Sequence, residues 1–229
     1  MYRNCFKRVL DFCCSLFALI VLGPFFLLLI ILGVCFMKGN PFFTQPRPGK
    51  DEKIFKLIKF RTMSNVKDRQ GKLLPDEMRL NSYGRFLRST SVDELPELLN
   101  ILRGDMAVIG PRPQLIRDMV FMSSEQRKRH SVRPGLSGLA QVNGRNVITW
   151  EDKFSWDLKY IEKITIVGDV RIIFETIGKV FKRADINREG TVSDMDFGDY
   201  LLQKNEVSQE EYDKKQAEAN ELLRREKKK

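Results

Sequence analysis

Asp93 and Glu94 are adjacent carboxylates, and carboxylates of this kind can hold a divalent cation or attack phosphorus directly. Lys59, Arg61, Arg88, Arg112 and Arg145 stand singly in short, well-formed segments rather than in a charge run. Together they could surround a diphosphate, which needs fixed cations around its oxygens. A plainer reading competes at the pair itself. Ser91 and Glu94 spell a capping box, and acids in a first helical turn complement the helix dipole.

Other chemistry is poorly supplied. All four cysteines (Cys5, Cys13, Cys14 and Cys35) lie in or beside one apolar run, so no disulfide framework is expected downstream. No CxxC or Cys/His cluster suggests zinc. The one histidine, His130, sits in a basic run and reads as a solvated loop residue rather than as a triad base.

The elements that must carry these residues are of three unlike kinds. Phe12–Phe36 is 25 residues without a charge, long enough as a straight helix, at about 37 Å, to cross a bilayer core. It exceeds a signal-peptide core and lacks a cleavage site, so retention is expected. Gly23-Pro24 interrupts it midway, leaving arms of roughly 18 Å, one leaflet deep. Basic residues flank both ends: Arg3, Lys7 and Arg8 before, Lys38, Arg47 and Lys50 after. The positive-inside rule places both flanks on the cytoplasmic side. A single span and a re-entrant bend both remain open.

Beyond the run, an extended Pro41–Gln45 and an alternating Lys53–Met63 predict a β-hairpin across the turn cluster Pro46–Asp51. A short helix is expected over Leu80–Leu87 and one helix over Gln114–Ser131. The clearest helix opens at Ser91, carries Leu95, Leu98, Leu99 and Leu102 on one stripe, and stops at Gly104. Val170, Ile173, Phe174, Ile177 and Phe181 form an apolar stripe on a basic helix near Trp150 and Trp156, a pattern suited to a membrane surface or to ordinary core packing. The last 39 residues, 191–229, hold 8 basic and 10 acidic side chains. A helix from Gln209 is expected there as an accessory or self-association element, which leaves a homodimer open.

The whole chain carries +10, so the first 190 residues hold +12, an excess that requires an anionic partner. Nucleic acid is not expected, because the cations are interleaved with Pro/Gly loops rather than arrayed along one helix or beside stacking aromatics. Membrane lipid and a phosphorylated substrate remain.

Four segments in order complete the reading: Lys59–Met63 (KFRTM), Arg88–Pro96 (RSTSVDELP), Gly110–Pro113 (GPRP) and Arg133–Arg145 (RPGLSGLAQVNGR). With them the chain resembles the bacterial sugar transferases known as monotopic phosphoglycosyl transferases, from about Tyr2 to Arg188. The resemblance implies transfer of a sugar 1-phosphate from a UDP-sugar to undecaprenyl phosphate with release of UMP, at the cytoplasmic face of the bacterial plasma membrane. Asp93 would be the nucleophile and a ligand of Mg²⁺, Glu94 its partner, and Lys59, Arg61, Arg88, Arg112, Arg145 and Asp157 would bind substrate. The family commonly bends at Ser-Pro; here Gly23 replaces the serine. Two alternatives stay open, a basic membrane-anchored binding protein and a Mg²⁺-dependent diphosphate hydrolase.

The expected fold is α+β and mostly helical. A re-entrant helix-break-helix (1–38) precedes a compact cytosolic catalytic domain with a small hairpin and interfacial helices (39–190), and a charged extension (191–229) follows.

Overall fold

The computed structural model describes residues 2–144, 148–182 and 195–227. The helices in chain order are α1 (Lys7–Val21), α2 (Gly23–Met37), α3 (Asp76–Arg79), α4 (Ser82–Thr90), α5 (Glu97–Arg103), α6 (Ile116–Met119), α7 (Ser124–Arg127), α8 (Leu139–Val142), α9 (Trp150–Glu162), α10 (Ile166–Lys182), α11 (Phe197–Gln203) and α12 (Gln209–Lys227). The strands are β1 (Phe42–Pro48), β2 (Ile54–Phe60), β3 (Ala107–Ile109) and β4 (Gly135–Ser137). The protein is thus mostly helical with two small sheets.

Among the described residues no single helix is long and apolar enough to cross a membrane; α1 and α2 together are, but they meet at 67°. The break falls at Leu22, with Pro24 in the first turn of α2. Pro24 cannot supply the N–H that a straight helix would take to the Ile20 carbonyl, which is why the ladder restarts here. Gly23 plays no steric part, since a Cβ there would meet nothing within 4 Å.

The bent pair is two-faced. Lys7, Asp11 and Ser15 form a buried polar stripe at i, i+4 and i+8 of α1. Lys7 Nζ donates to Asp169 Oδ2 at 2.6 Å, Asp11 accepts from the Val108 N–H at 3.0 Å, and Ser15 Oγ donates to the Leu98 carbonyl at 2.7 Å. Arg8 donates to the Ile101 and Leu102 carbonyls at the C-terminus of α5, where a cation also complements the dipole. On α2, Leu29 is buried and its carbonyl accepts from Tyr83 Oη at 2.8 Å. Lys7 and Arg8, counted from the sequence among the basic residues flanking the apolar run, are therefore tied to the protein itself. Phe17, Ile20, Val21, Leu27, Leu28 and Ile31 on the other face are uncovered.

The hairpin pairs Phe42 with Phe60 through Pro48 with Ile54, antiparallel. The first strand therefore runs three residues into the expected turn cluster. The second sheet, β3 parallel to β4, was not anticipated; its three-residue strands are too short to show alternation. It joins the Gly-Pro segments. Gly110 N–H donates to the Ser137 carbonyl at 2.9 Å and Gly135 N–H to the Pro111 carbonyl at 3.0 Å. A Cβ on Gly135 would lie 2.1 Å from the Gly110 nitrogen, so only glycine allows the approach.

Three local expectations are corrected. Ser91 does not cap a helix: it adopts the left-handed conformation (φ 56°), Val92–Glu94 is a separate 3₁₀ turn, and α5 begins only after Pro96. The helix expected over Gln114–Ser131 is broken into α6, α7 and a 3₁₀ turn (Lys128–Ser131), because Ser123 and Gln126 form a capping box that starts a new helix. His130 is buried, not solvated.

Candidate functional site

The loop segments converge on one open cleft of about 1410 Å³ lined by Lys59, Arg61, Arg88, Asp93, Glu94, Arg112 and Asp157. Each arrives from a different element: Lys59 ends β2, Arg61 follows it, Arg88 lies in the last turn of α4, Arg112 follows β3, and Asp157 is on α9. Arg145 lies outside the described residues. Gly23 and Pro24 do not reach the cleft, but their neighbour Leu22 lines its edge, so the helix break borders the site.

The 3₁₀ turn sends the two carboxylates into different surroundings. Glu94 Oε1 accepts from Lys59 Nζ and from Arg112 Nη2, each at 2.7 Å. Although burial opposes it, Arg112 and Lys59 hold Glu94 well below the ordinary carboxylate range. Asp93 makes no ion pair with a described residue. Burial and the neighbouring Glu94 charge push it up to about 6, against the pull of Lys59, Arg112 and Arg88. Asp93 is thus the carboxylate left available, ionised near neutral pH and not engaged by a bound cation. Arg88 is steadied by donating Nε to Thr62 Oγ1 at 3.1 Å.

Glu97, on the first turn of α5, is a buried carboxylate beside the site that was not singled out from the sequence. It is 2% exposed and lies 3.1 Å from Lys59 Nζ, so Lys59 bridges two glutamates. Burial pushes Glu97 up to about 7, with Lys59 opposing and Glu94 adding to the rise. Its spacing, three residues after Glu94, was the available signal.

Asp157 was expected at the substrate. It lines the cleft and is also paired with Arg129, whose Nε and Nη2 donate to Asp157 Oδ2 at 2.9 and 2.6 Å. Arg129 Nη2 also donates to the Arg112 carbonyl at 2.6 Å. The buried Asp157–Arg129 pair therefore sets the backbone that carries Arg112. Nothing in the basic run Arg127–His130 marks Arg129 as the inward-facing member.

Among the described residues no group of three or more His, Cys, Asp or Glu side chains could cage a metal. Mg²⁺ does not require a cage, since it takes one or two carboxylates and completes its shell with water and substrate phosphate oxygens. Asp93, ion-paired with none of the described residues and beside the cationic wall, fits that donor set.

The bacterial sugar transferase family profile matches residues 2–183. The chain is 42% identical over 189 residues to the sugar transferase EpsL of Bacillus subtilis, covering 82% of this chain and 93% of that one. It is 35% identical over 191 residues to the exopolysaccharide production protein ExoY of Sinorhizobium fredii, covering 76% and 84%. Similarity at 38% over 186 residues extends to the UDP-glucose:undecaprenyl-phosphate glucose-1-phosphate transferase of Klebsiella pneumoniae, with 77% of this chain but only 40% of that longer relative. The profile spans the bent helix pair, the hairpin and every described residue of the Asp93 cleft except those of α11 and its approach, and with it the chain belongs to the bacterial sugar transferase family.

Proposed function

We propose that the protein transfers a sugar 1-phosphate from a UDP-sugar to a polyprenyl phosphate such as undecaprenyl phosphate, releasing UMP. The observation that carries this reading is the divided pair, with Glu94 held by Arg112 and Lys59 and Asp93 ion-paired with none of the described residues in a cleft lined by cations. The Klebsiella relative, named for a reaction of this kind, supports the donor and acceptor classes.

In the first step an Asp93 carboxylate oxygen attacks the β-phosphorus of the donor. A phosphorus–oxygen bond to aspartate forms, and the bond from that phosphorus to the oxygen bridging to UMP breaks. In the second step an oxygen of the acceptor phosphate attacks the same phosphorus, expels Asp93 and leaves a polyprenyl diphosphate sugar. An acyl phosphate is a good phosphoryl donor, so one difficult displacement becomes two easier ones. Arg88 and Arg112 neutralise donor oxygens, and Lys59 holds Glu94 so that its charge stays fixed beside the nucleophile. Mg²⁺ held by Asp93 and donor oxygens would supply further neutralisation of the leaving phosphate.

The acceptor is confined to the bilayer, so the cleft must sit at its face. Several observations support a monotopic, re-entrant placement. The start of the helix pair is tied to α5 and Asp169 and its end to α4, where Asn81 Nδ2 donates to the Phe36 carbonyl at 3.2 Å. Both arms thus return to the same domain. Val167, Val170, Phe174 and Ile177 of α10 are also uncovered, Val167 by 75% and Phe174 by 69%. These form a second apolar surface suited to lying in the interface.

The test is UMP release from a panel of UDP-sugars with undecaprenyl phosphate, for wild type and Asp93→Asn. Release lost by about a thousandfold or more in the variant supports the nucleophile. Activity retained would overturn it, and oxygen from labelled water in the first-formed sugar phosphate would indicate hydrolysis instead.

A further inference from the structure

The family match ends at residue 183, yet the cleft that holds Asp93 is also lined by Met195, Asp196 and Asp199 of the C-terminal extension. These residues are not a loose tail laid across the opening. Phe197 is buried with its ring centroid 5.1 Å from those of both Trp150 and Phe154, and its N–H donates to Asp118 Oδ1 at 2.9 Å. Trp150 Nε1 donates to the Met195 carbonyl at 3.2 Å. Behind this, α12 seats Ala219, Leu222 and Leu223 on Ile116 and Val120, and Lys215 Nζ donates to the Val120 carbonyl at 2.8 Å. The extension is a packed wall of the cleft.

Its chemistry differs from that of the rest of the site. Around Asp93 the lining is dominated by Lys59, Arg88 and Arg112, whereas the extension contributes carboxylates. Asp196 is bridged to Arg117 at 2.6 Å, and Asp199 Oδ1 accepts from Tyr212 Oη, while its other oxygen accepts from none of the described residues. Arg47, in the same cleft, has a shielded Nε without a partner among the described residues. Carboxylates repel phosphate oxygens and accept hydrogen bonds from hydroxyl groups. A cleft with a cationic wall and an acidic one orders a substrate that is a diphosphate in one part and a polyol in another.

We infer that the C-terminal extension forms the hydroxyl-binding wall of the donor site, with Asp199 and Asp196 taking vicinal hydroxyls of the donor. This rests on the UDP-sugar reading above. Two parts of such a donor carry that chemistry, the ribose and the transferred sugar.

The experiment measures kcat and KM for donor and for acceptor, and inhibition by UMP alone, in the intact protein and in Asp199→Asn, Asp196→Asn and Arg117→Ala. Asparagine at 199 keeps an acceptor for Tyr212 while removing the charge. A donor KM raised about fivefold or more in Asp199→Asn, with acceptor KM within about twofold, supports the inference. A parallel loss of UMP inhibition assigns the wall to the ribose, and unchanged UMP inhibition with a sugar-dependent KM assigns it to the sugar. Arg117→Ala breaks the ion pair and keeps both carboxylates, so a rise there equal to that of Asp196→Asn counts against direct contact by Asp196. Donor KM within about twofold in both aspartate variants overturns the inference while leaving the transferase reading intact. Failure of the wild type to turn over any UDP-sugar overturns both.

Discussion

Two neighbouring carboxylates with the same chemistry differ because of what each one touches. Among the described residues, Glu94 has two cations at 2.7 Å and Asp93 is ion-paired with none. Glu94→Gln removes the charge that anchors Arg112 and Lys59, and is expected to lower kcat by about a hundredfold with a smaller change in donor KM, measured as UMP release. Glu97→Gln keeps the volume and a hydrogen-bonding oxygen near Lys59, so a milder loss, within about tenfold, is expected in the same assay. His130 affects stability rather than catalysis. Burial, then Arg129 and Arg127, push it down to about 3, and Glu52, 3.4 Å away, is shared with Arg127. Neutral in the fold but protonatable once unfolded, it lets the unfolded chain bind the extra proton below about pH 6.5. Its contribution is complete above that value and is lost as pH falls towards about 3. Relative to His130→Leu, the wild type should lose about 2 kcal/mol of stability between about pH 7.5 and about pH 5. Denaturation of both proteins in detergent at the two pH values checks this, and parallel curves would contradict it. The pair Asp93-Glu94 and its cations were legible from residue type and spacing. Their division of roles was not, because it depends on a left-handed Ser91 that converts the expected cap into a separate turn.

At the scale of elements, α1 shows what an uncharged run conceals. Its apolar length was plain, but the stripe Lys7, Asp11 and Ser15 was not taken as a packing face, and its partner Asp169 lies 162 residues from Lys7. The signal available was an i, i+4 pair of opposite charge at the mouth of the run, with a lone acid in the first turn of the basic helix α10. Asp169 also accepts from Tyr2 Oη at 2.7 Å and Tyr160 Oη at 2.8 Å. Asp169→Ala removes the nearer of two acidic partners and leaves buried Lys7 only Asp11, 3.7 Å away; it should cost about 3 kcal/mol, read as loss of folded protein on thermal challenge in detergent. The break itself is assigned to Pro24, not to Gly23. Gly23→Ala, with open space around its Cβ, should leave the topology and activity unchanged. Pro24→Ala restores a helical donor and should straighten the pair, exposing the N-terminal residues to labelling from outside the cell when a cysteine is placed there. Labelling unchanged from wild type would count against the proline as the cause.

Across the whole molecule, apolar surface and charge are segregated. The uncovered face of α1 and α2 and the stripe on α10 carry most of the large exposed hydrophobics, while Lys7, Arg8 and Arg129 make internal ties and Lys59, Arg88 and Arg112 line the cleft. Phe174→Asp combined with Val170→Asp should weaken the hold on lipid without touching the cleft, seen as reduced flotation with anionic vesicles. The architecture was readable in outline because periodicity and Gly/Pro punctuation mark local elements. The clasp of Gly110 on Gly135, the docking of α12 on α6 and the Asp157–Arg129 support were not, because each joins segments separated in the chain and leaves no local periodicity to read. Asp93 is expected to carry the phosphosugar of the donor as an acyl phosphate. Intact-protein mass spectrometry with donor alone reads this. Wild type should gain the mass of one phosphosugar, mapped to Asp93 and discharged on adding undecaprenyl phosphate, and Asp93→Asn should gain none. UMP release without any adduct on the wild type under rapid quench, or the same adduct on Asp93→Asn, would contradict it.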